Sequence, residues 1–172
     1  MNTILEISDK TFGIGEGERY DKPYLLRKTA RMVLMRDDGK IALQHVANYD
    51  YYKLPGGGVE AGESVIEALH REISEEVGCR AEVLNEIGTV IEYRNQFDIL
   101  QISYCYLGRV IGDINEPSFD EGEIADGMSS LWVSADDALA LLQKVEPVEY
   151  EVYFMVKRDL EVLKAAKKLI EK

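Results

Sequence analysis

The sequence predicts an α/β fold in which strands and helices are mixed within one compact domain. Runs of apolar and β-branched residues are typical of strands, and residues 64–77 repeat their apolar side chains with the period of a helix. The chain has no internal repeat, no low-complexity tract and no linker rich in Pro, Gly or Ser. Its 172 residues, 46% hydrophobic and 30% charged, therefore predict a single domain over residues 1–172.

The charge of the chain restricts its partners. Its 20 basic and 32 acidic residues give a net charge of -12, which disfavours binding to polymeric nucleic acid or to an anionic membrane. A small phosphorylated substrate is still compatible with this charge. Bound cations or a local group of basic side chains can reverse the electric field within one cleft.

The cysteines and the lack of long apolar runs indicate a cellular location. Cys79 and Cys105 are too few for a disulfide framework and lack the spacing of a metal site, so we expect reduced thiols. No apolar run approaches the length that spans a membrane, and the first residues lack a basic region followed by a hydrophobic one. We therefore expect a cytoplasmic protein.

The first half of the chain predicts an N-terminal extension followed by a hairpin. Residues 1–28 form the extension, with a short strand at 4–8 and a turn in the glycine-bearing stretch that follows. Apolar runs at 29–36 and 40–46 flank an Asp-Asp-Gly sequence, which is a strong hairpin signal. A polar and aromatic loop at 48–52 then leads into three consecutive glycines.

The second half predicts a long antiparallel pair of strands and two helices. Residues 81–93 and 99–110 have strand-like density of β-branched and aromatic residues, and an acidic loop follows them. A short strand at 131–133 precedes a helix capped by Ser134. A final helix at about 148–171 could pack on the domain or on a second subunit in a homodimer.

The segment from Ser64 to Val77 carries the most informative pattern. Its apolar residues recur at spacings of three and four, and Gly78 suits a left-handed C-terminal cap. Glu72, Glu75 and Glu76 stand at i, i+3 and i+4, so their carboxylates should converge on one face. The arrangement is either a solvated acidic face or an oxygen-only site for a hard cation such as Mg²⁺ or Mn²⁺.

The spacing of these residues resembles the box of the Nudix hydrolases. Every fixed position of that box is filled, and Cys79 at the final aliphatic position is a mild departure, because buried cysteine behaves as a small hydrophobe. The resemblance implies an α/β/α sandwich, a mixed sheet between helices, with the box as loop, helix and loop. The matching positions are Gly57, Glu63, Arg71-Glu72-Ile73, Glu75-Glu76 and Gly78.

The same resemblance implies roles for the box residues. Glu72, Glu75 and Glu76, with the Gly57 carbonyl, would bind Mg²⁺ or Mn²⁺. Glu63 and Arg71 would brace the loop against the helix, and Arg71 would also orient the glutamates. The catalytic base stays open at this point. It is Glu76 or Glu72 from the box, or Glu121 or Glu123 from the acidic loop.

Residues outside the box are candidates for substrate contacts. Arg31, Lys53 and Arg27 could contact phosphate, and Lys53 directly precedes the glycine-rich turn. Several aromatic residues could stack on a nucleobase or fill core positions instead. These aromatic candidates are Tyr49, Tyr51, Tyr52 and Phe119.

The resemblance implies hydrolysis of a nucleoside diphosphate linked to another group. No proline lies between Pro55 and Pro117, which counts against the ADP-ribose branch of the family, and an upstream coenzyme A signature is missing. We therefore expect a MutT-like nucleoside triphosphate pyrophosphohydrolase that could act on oxidised nucleotides. The alternatives are a nucleotide-sugar or dinucleotide pyrophosphatase and a non-catalytic nucleotide sensor. The sensor is disfavoured because no box carboxylate is lost.

Overall fold

A computed structural model describes residues 1–19 and 21–171 of the chain. Within these residues the chain forms seven strands, four α-helices and three short 3₁₀ helices. The strands are β1 Thr3–Ser8, β2 Leu25–Met35, β3 Ile41–Val46, β4 Tyr51–Lys53, β5 Arg80–Arg94, β6 Ile99–Ile111 and β7 Met128–Val133. The helices are α1 Val65–Val77, α2 Glu121–Ala125, α3 Ala135–Lys144 and α4 Tyr150–Ile170.

The strands form one mixed sheet. Its order is β1-β5-β6-β2-β3-β4, and β7 pairs with β3 outside this path. β1 and β5 run parallel, as do β2 and β6, whereas β5 and β6 are antiparallel along their whole length. The sequence-based prediction of an α/β fold with a mixed sheet is therefore confirmed.

The two faces of the sheet are covered by different helices. Alternate residues of β2 point to opposite faces, as the period of a strand requires. Ala30, Met32 and Leu34 are buried with the apolar side of α1, whereas Val33 belongs to a second buried cluster formed with α3 and α4. The arrangement is an α/β/α sandwich, as the resemblance implied.

Most elements lie where the sequence predicted them. The β2–β3 hairpin and the β5–β6 pair are confirmed, and α1 begins after Ser64, whose hydroxyl accepts a hydrogen bond from the Glu67 amide. The side chain of Glu67 accepts in return from the Ser64 amide, which completes a capping box. Gly78 ends the helix in the left-handed conformation, at φ 73°.

Three local predictions differ from the structure. Residues 1–28 are not only an extension, because β1 pairs with β5 inside the sheet and β2 already begins at Leu25. The predicted loop at 48–52 contains the start of strand β4, and the acidic loop contains the short helix α2. β1 depends on a partner strand more than 80 residues away, which local pattern does not reveal. β4 is only three residues long, and α2 only five, so neither has room for a clear periodicity. No described helix is both long and apolar enough to cross a membrane.

The sheet opens between β2 and β3, and the glycine-rich segment occupies the opening. The only β2–β3 partners are Met35 and Ile41 within the described residues, so the two strands diverge from there. The Ala30 amide donates to the Gly57 carbonyl (2.9 Å), and the Met32 amide donates to the Pro55 carbonyl (3.1 Å). The segment therefore replaces β3 as the neighbour of β2.

Gly56 should be irreplaceable in this segment, whereas Gly58 should tolerate a methyl group. At Gly56, φ is 124° and an added Cβ would lie 2.1 Å from the Ala30 carbonyl oxygen, while a Cβ at Gly58 would meet nothing within 4 Å. We expect Gly56→Ala to lower the free energy of unfolding by at least about 2 kcal/mol, and Gly58→Ala by less than about 1 kcal/mol. Urea denaturation measures both. Equal effects would contradict the close approach of Gly56 to β2.

Candidate active site

A cavity of about 590 Å³ lies where the sheet opens. Box residues, strand residues and α4 all contribute to its wall. The lining side chains include carboxylates, most of them from α1 and the acidic loop, and basic groups, most of them arginines. The carboxylates are Glu60, Glu72, Glu75, Glu76, Asp120, Glu123 and Glu151, and the basic residues are Arg27, Arg31, Lys53, Arg71, Arg94 and Arg158.

Arg71 connects the box helix to the loops around it. Its guanidinium donates to Glu63 Oε1 (2.8 Å), to the Gly58 carbonyl (3.0 Å) and, through Nη1, to Glu72 (2.8 Å) and Glu75 (3.1 Å). Hydrogen bonds to Glu63 are the main cause of the raised pKa of Arg71. The guanidinium thus restrains one loop carboxylate, one loop carbonyl and two helix carboxylates at once.

Glu72 lies directly against the backbone of Gly57. A Cβ added at Gly57 would be 2.3–2.4 Å from the three carboxylate atoms of Glu72. No other residue type fits there without moving this carboxylate. Burial raises the pKa of Glu72, and the negative charge of Glu76 raises it further.

Glu76 is the most buried carboxylate of the cavity, with 1% of its surface exposed. It accepts hydrogen bonds from Lys53 Nζ (3.2 Å) and from the Gly56 amide (2.6 Å). Burial raises its pKa, while the charges of Lys53 and Arg31 oppose that rise. Lys53 therefore lies at the glycine-rich turn, where the sequence suggested it, with a carboxylate as its partner.

The three box carboxylates line one cavity but do not meet at one point. No three His, Cys, Asp or Glu side chains of residues 1–19 and 21–171 are grouped so that they could hold a metal ion. Arg71 holds Glu72 and Glu75, whereas Lys53 and Gly56 hold Glu76, so the three carboxylates share one cavity with different partners.

The donor set nevertheless fits a hard divalent cation. All side-chain donors are carboxylate oxygens, and Glu72 and Glu75 already share one positively charged Nη1 of Arg71. The carbonyl oxygen of Gly57 accepts from the Ala30 amide, and its second lone pair is a further oxygen ligand.

The arginine part of the wall contains two residues that the sequence predicted and two that it missed. Arg31 and Arg27 are the predicted pair, and both come from β2. Arg94 from β5 and Arg158 from α4 were missed. The available signal was a charged residue at a buried position, in a strand or in the apolar stripe of a helix.

The two acidic-loop candidates for the base lie in different environments. Glu123 lines the cavity, and burial raises its pKa, whereas Glu121 is exposed and lies outside the lining. Both belong to α2, which brings its third residue to the cavity and leaves its first in solvent. Of the two candidates for the base, Glu123 is therefore the one that can reach a substrate.

Tyr52 does not line the cavity, which contradicts the prediction of a substrate contact. It stacks on His45, with ring centroids 4.7 Å apart, and packs against the core under α3 and α4. Tyr51 and Lys53, one residue to either side, line the cavity instead. The period of two in β4 decides this difference, and the sequence had treated these residues as a loop.

The family comparison agrees with this architecture. The sequence profile of the NUDIX domain matches residues 25–155, which is more than half of the chain. The chain belongs to the Nudix family. The matched Nudix region begins with β2 and ends within α4, so it includes the box, the acidic loop and Arg94.

Curated relatives of this Nudix chain are RNA pyrophosphohydrolases. The protein of Xylella fastidiosa (strain M12) is 29% identical over 121 residues, covering 63% of this chain and 64% of that protein. The protein of Stenotrophomonas maltophilia (strain K279a) is 34% identical over 120 residues, covering 62% of this chain and 58% of that protein. The chain thus spans less than two-thirds of the length of either relative.

Solved structures share the Nudix fold at low sequence identity. A NUDIX hydrolase from Nitrosomonas europaea superposes with a TM-score of 0.62 and 22% identity, covering 85% of this chain and 91% of that one. The Ap4A hydrolase of C. elegans superposes with a TM-score of 0.61 and 14% identity, covering 85% and 99%. At such identities the likeness concerns the fold.

The pair of Lys53 and Glu76 should couple stability to pH. Lys53→Met would leave the Glu76 carboxylate buried without its cation, at a cost of about 3 kcal/mol when Glu76 is ionised. The pKa of Glu76 is higher in the folded protein than in the unfolded chain. The cost is therefore absent at low pH, where Glu76 is protonated, and it appears as the pH rises through the two pKa values and the carboxylate ionises.

Urea denaturation of the wild type and Lys53→Met at pH 5 and pH 8 measures this coupling. We expect Lys53→Met to lower the free energy of unfolding more at pH 8 than at pH 5. We expect the double variant that also carries Glu76→Gln to recover most of that loss. A loss that is equal at both pH values would show that Lys53 acts by packing alone.

Proposed function

We propose that this protein is a metal-dependent hydrolase of phosphoanhydride bonds, and most specifically a nucleoside triphosphate pyrophosphohydrolase. The observation that carries this proposal is the composition of the single cavity where the sheet opens. One part of its wall offers oxygen ligands for a hard cation, and another offers buried guanidinium groups suited to phosphate. A diphosphate linkage needs both.

The residues that would hold Mg²⁺ or Mn²⁺ are Glu72, Glu75 and Glu76, with the Gly57 carbonyl. Such a cation would neutralise the phosphate charge that repels a nucleophile, and it would lower the pKa of a bound water. Arg71 would remain as the positioning residue for Glu72 and Glu75, since its bonds to Glu63 and Gly58 do not depend on them.

We assign the role of general base to Glu123. Its place in the cavity wall and its raised pKa, which makes it a stronger base than an ordinary carboxylate, favour proton transfer from water. As the water oxygen bonds to phosphorus, Glu123 accepts the proton and the bond from phosphorus to the bridging oxygen breaks. Lys53 would hold oxygens of the attacked phosphate during this step, and Arg31 would hold oxygens of a neighbouring phosphate.

The nucleoside would occupy a second hollow of about 400 Å³ beside the first. The two hollows share Tyr51, Glu151 and Met155, so one ligand could extend across both. Tyr49 lines the second hollow, with ring centroids 6.4 Å from Tyr51. These two tyrosines, in place of Tyr52, would stack on a base.

The first test is a substrate panel with and without a divalent cation. We expect wild-type protein to release pyrophosphate from nucleoside triphosphates with Mg²⁺ or Mn²⁺ and to be inactive in excess chelator, because phosphate repulsion would be unopposed. Glu72→Gln should lose activity by at least about 10²-fold while staying folded, since it removes one cavity charge next to Glu76. Glu82→Gln, on β5 and paired with Arg109, is the control.

The products decide between the alternatives. Two monophosphate products from nucleotide sugars or dinucleotides would replace the triphosphate assignment. Saturable nucleotide binding without hydrolysis of any compound would favour the sensor, and turnover in excess chelator would contradict the metal requirement.

RNA with a 5′-triphosphate is a second candidate substrate, because the curated relatives are named RNA pyrophosphohydrolases. The net charge of -12 opposes tight binding of a long polyanion. A triphosphorylated oligonucleotide in the same panel distinguishes the two candidates. A kcat/KM above that of mononucleotides would favour RNA.

A matched pair of variants tests the base. Glu123→Gln should lower kcat by about 10²–10⁴-fold, because the amide cannot take a proton from water. The amide oxygen can still accept the Asp120 N–H, which the carboxylate accepts at 2.9 Å, so α2 should stay folded. Glu121→Gln, two residues earlier and exposed, should keep normal rates. Normal rates for both variants would move the role to Glu76 or Glu72.

A further inference from the structure

Two arginines in the cavity wall are buried with unsatisfied donors. Arg31 is 6% exposed and Arg158 is 0% exposed. Nε and Nη1 of Arg31, and both terminal nitrogens of Arg158, have no hydrogen-bond partner among the described residues. Buried charged donors are normally bonded, because an unpaired one costs free energy.

The arginine side chains are held in place from outside the cavity. Arg158 Nε donates to Asp159 (2.7 Å), and the other oxygen of Asp159 accepts the Leu54 amide (2.8 Å) at the start of the glycine-rich turn. Arg94 Nε donates to buried Glu92 (2.8 Å), which also lies 3.5 Å from Arg158 Nη1. Arg94 is thus paired on all sides, because its Nη2 also lies 2.6 Å from Glu92 and its Nη1 lies 3.5 Å from Glu151. Arg158 has one bonded edge, and its terminal nitrogens have no hydrogen-bond partner among the described residues.

The positive charges repel one another. Burial and the charge of Arg158 lower the pKa of Arg31 to about 10, against the attraction of three carboxylates. Burial also lowers the pKa of Arg27, and the charges of Arg94 and Arg158 lower it further. A chain with a net charge of -12 has acids available to neutralise such a group, yet Arg31 keeps unbonded donors. This is the arrangement expected of a site for a compact anion.

We propose, on the basis of the function proposed above, that Arg31, supported by the positive charges of Arg94 and Arg158 in the same wall, forms a subsite for a phosphate group of the substrate that is not the one attacked. The attacked phosphate lies beside the carboxylates of α1 and Glu123, and the subsite is the arginine part of the same cavity. The substrate class is therefore a compound with at least three linked phosphates, in preference to diphosphates esterified at both ends.

A purely structural role for Arg31 and a role in binding phosphate predict opposite effects on protein stability when Arg31 is replaced. A guanidinium that serves only the fold would lose stabilising bonds on replacement. Arg31 has unbonded donors and a repelling neighbour, so Arg31→Met should leave the melting temperature unchanged or raise it, because a buried, poorly paired charge is removed.

The test is calorimetric titration of the metal-free protein with inorganic tripolyphosphate and pyrophosphate in chelator. We expect the wild type to bind tripolyphosphate more tightly than pyrophosphate, and Arg31→Met to weaken tripolyphosphate binding by about 10- to 100-fold. Arg27→Gln, whose partly buried guanidinium donates to Gln101 at 3.1 Å, should weaken it by about 5-fold without affecting the fold. Arg109→Gln, exposed and paired with Glu82, is the control for lost charge.

Three results for Arg31→Met would each overturn the subsite. The variant could bind tripolyphosphate as tightly as the wild type, lose only as much affinity as Arg109→Gln, or melt at a clearly lower temperature than the wild type. Because the titration contains no metal, it separates the two proposals. If tripolyphosphate binds as expected but no compound is hydrolysed, the proposed function is overturned and the subsite stands. If hydrolysis depends on metal but Arg31→Met binds tripolyphosphate as tightly as the wild type, the subsite is overturned and the proposed function stands.

Discussion

The guanidinium of Arg71 is the interaction on which the rest of the site depends. It is the common partner of the Glu63 carboxylate, the Gly58 carbonyl and the carboxylates of Glu72 and Glu75. Without it, the loop before α1 would lose its link to the helix, and two neighbouring carboxylates would repel each other unopposed. Because the bonds to Glu63 and Gly58 come from atoms other than Nη1, the brace persists if the glutamates turn toward another cation.

The opening of the sheet is the geometric condition for this arrangement. β2 leaves β3 after one pair of residues, so its free edge accepts the glycine-rich segment in place of a strand. That substitution brings Gly56 and Gly57 close enough to contact the carboxylates of Glu76 and Glu72. Asp159 on α4 closes the opening by accepting the Leu54 amide, 105 residues earlier in the chain. The site is therefore made by both helical layers together.

The electrostatics of the cavity differ from those of the whole chain. The protein carries a net charge of -12, yet one part of this cavity is lined by Arg27, Arg31, Arg94 and Arg158. Burial weakens screening by water, so these charges act more strongly than the larger number of exposed acids. The average charge correctly argues against nonspecific binding of polyanions, but it does not determine what a single cleft can bind.

The sequence by itself determined the family, the helix α1 with its caps, the hairpin and the long strand pair, because each has a local signature of spacing or periodicity. It also identified Arg31, Lys53 and Glu123 among its candidates. Only the tertiary structure decided that Tyr51 and not Tyr52 reaches the cavity, since the short strand β4 exists through its pairing with β3. Likewise, only the packing of α4 brings Arg158 to face residues more than 100 positions away. Local patterns record the period of a segment, whereas the direction a side chain takes depends on the partner against which that segment packs.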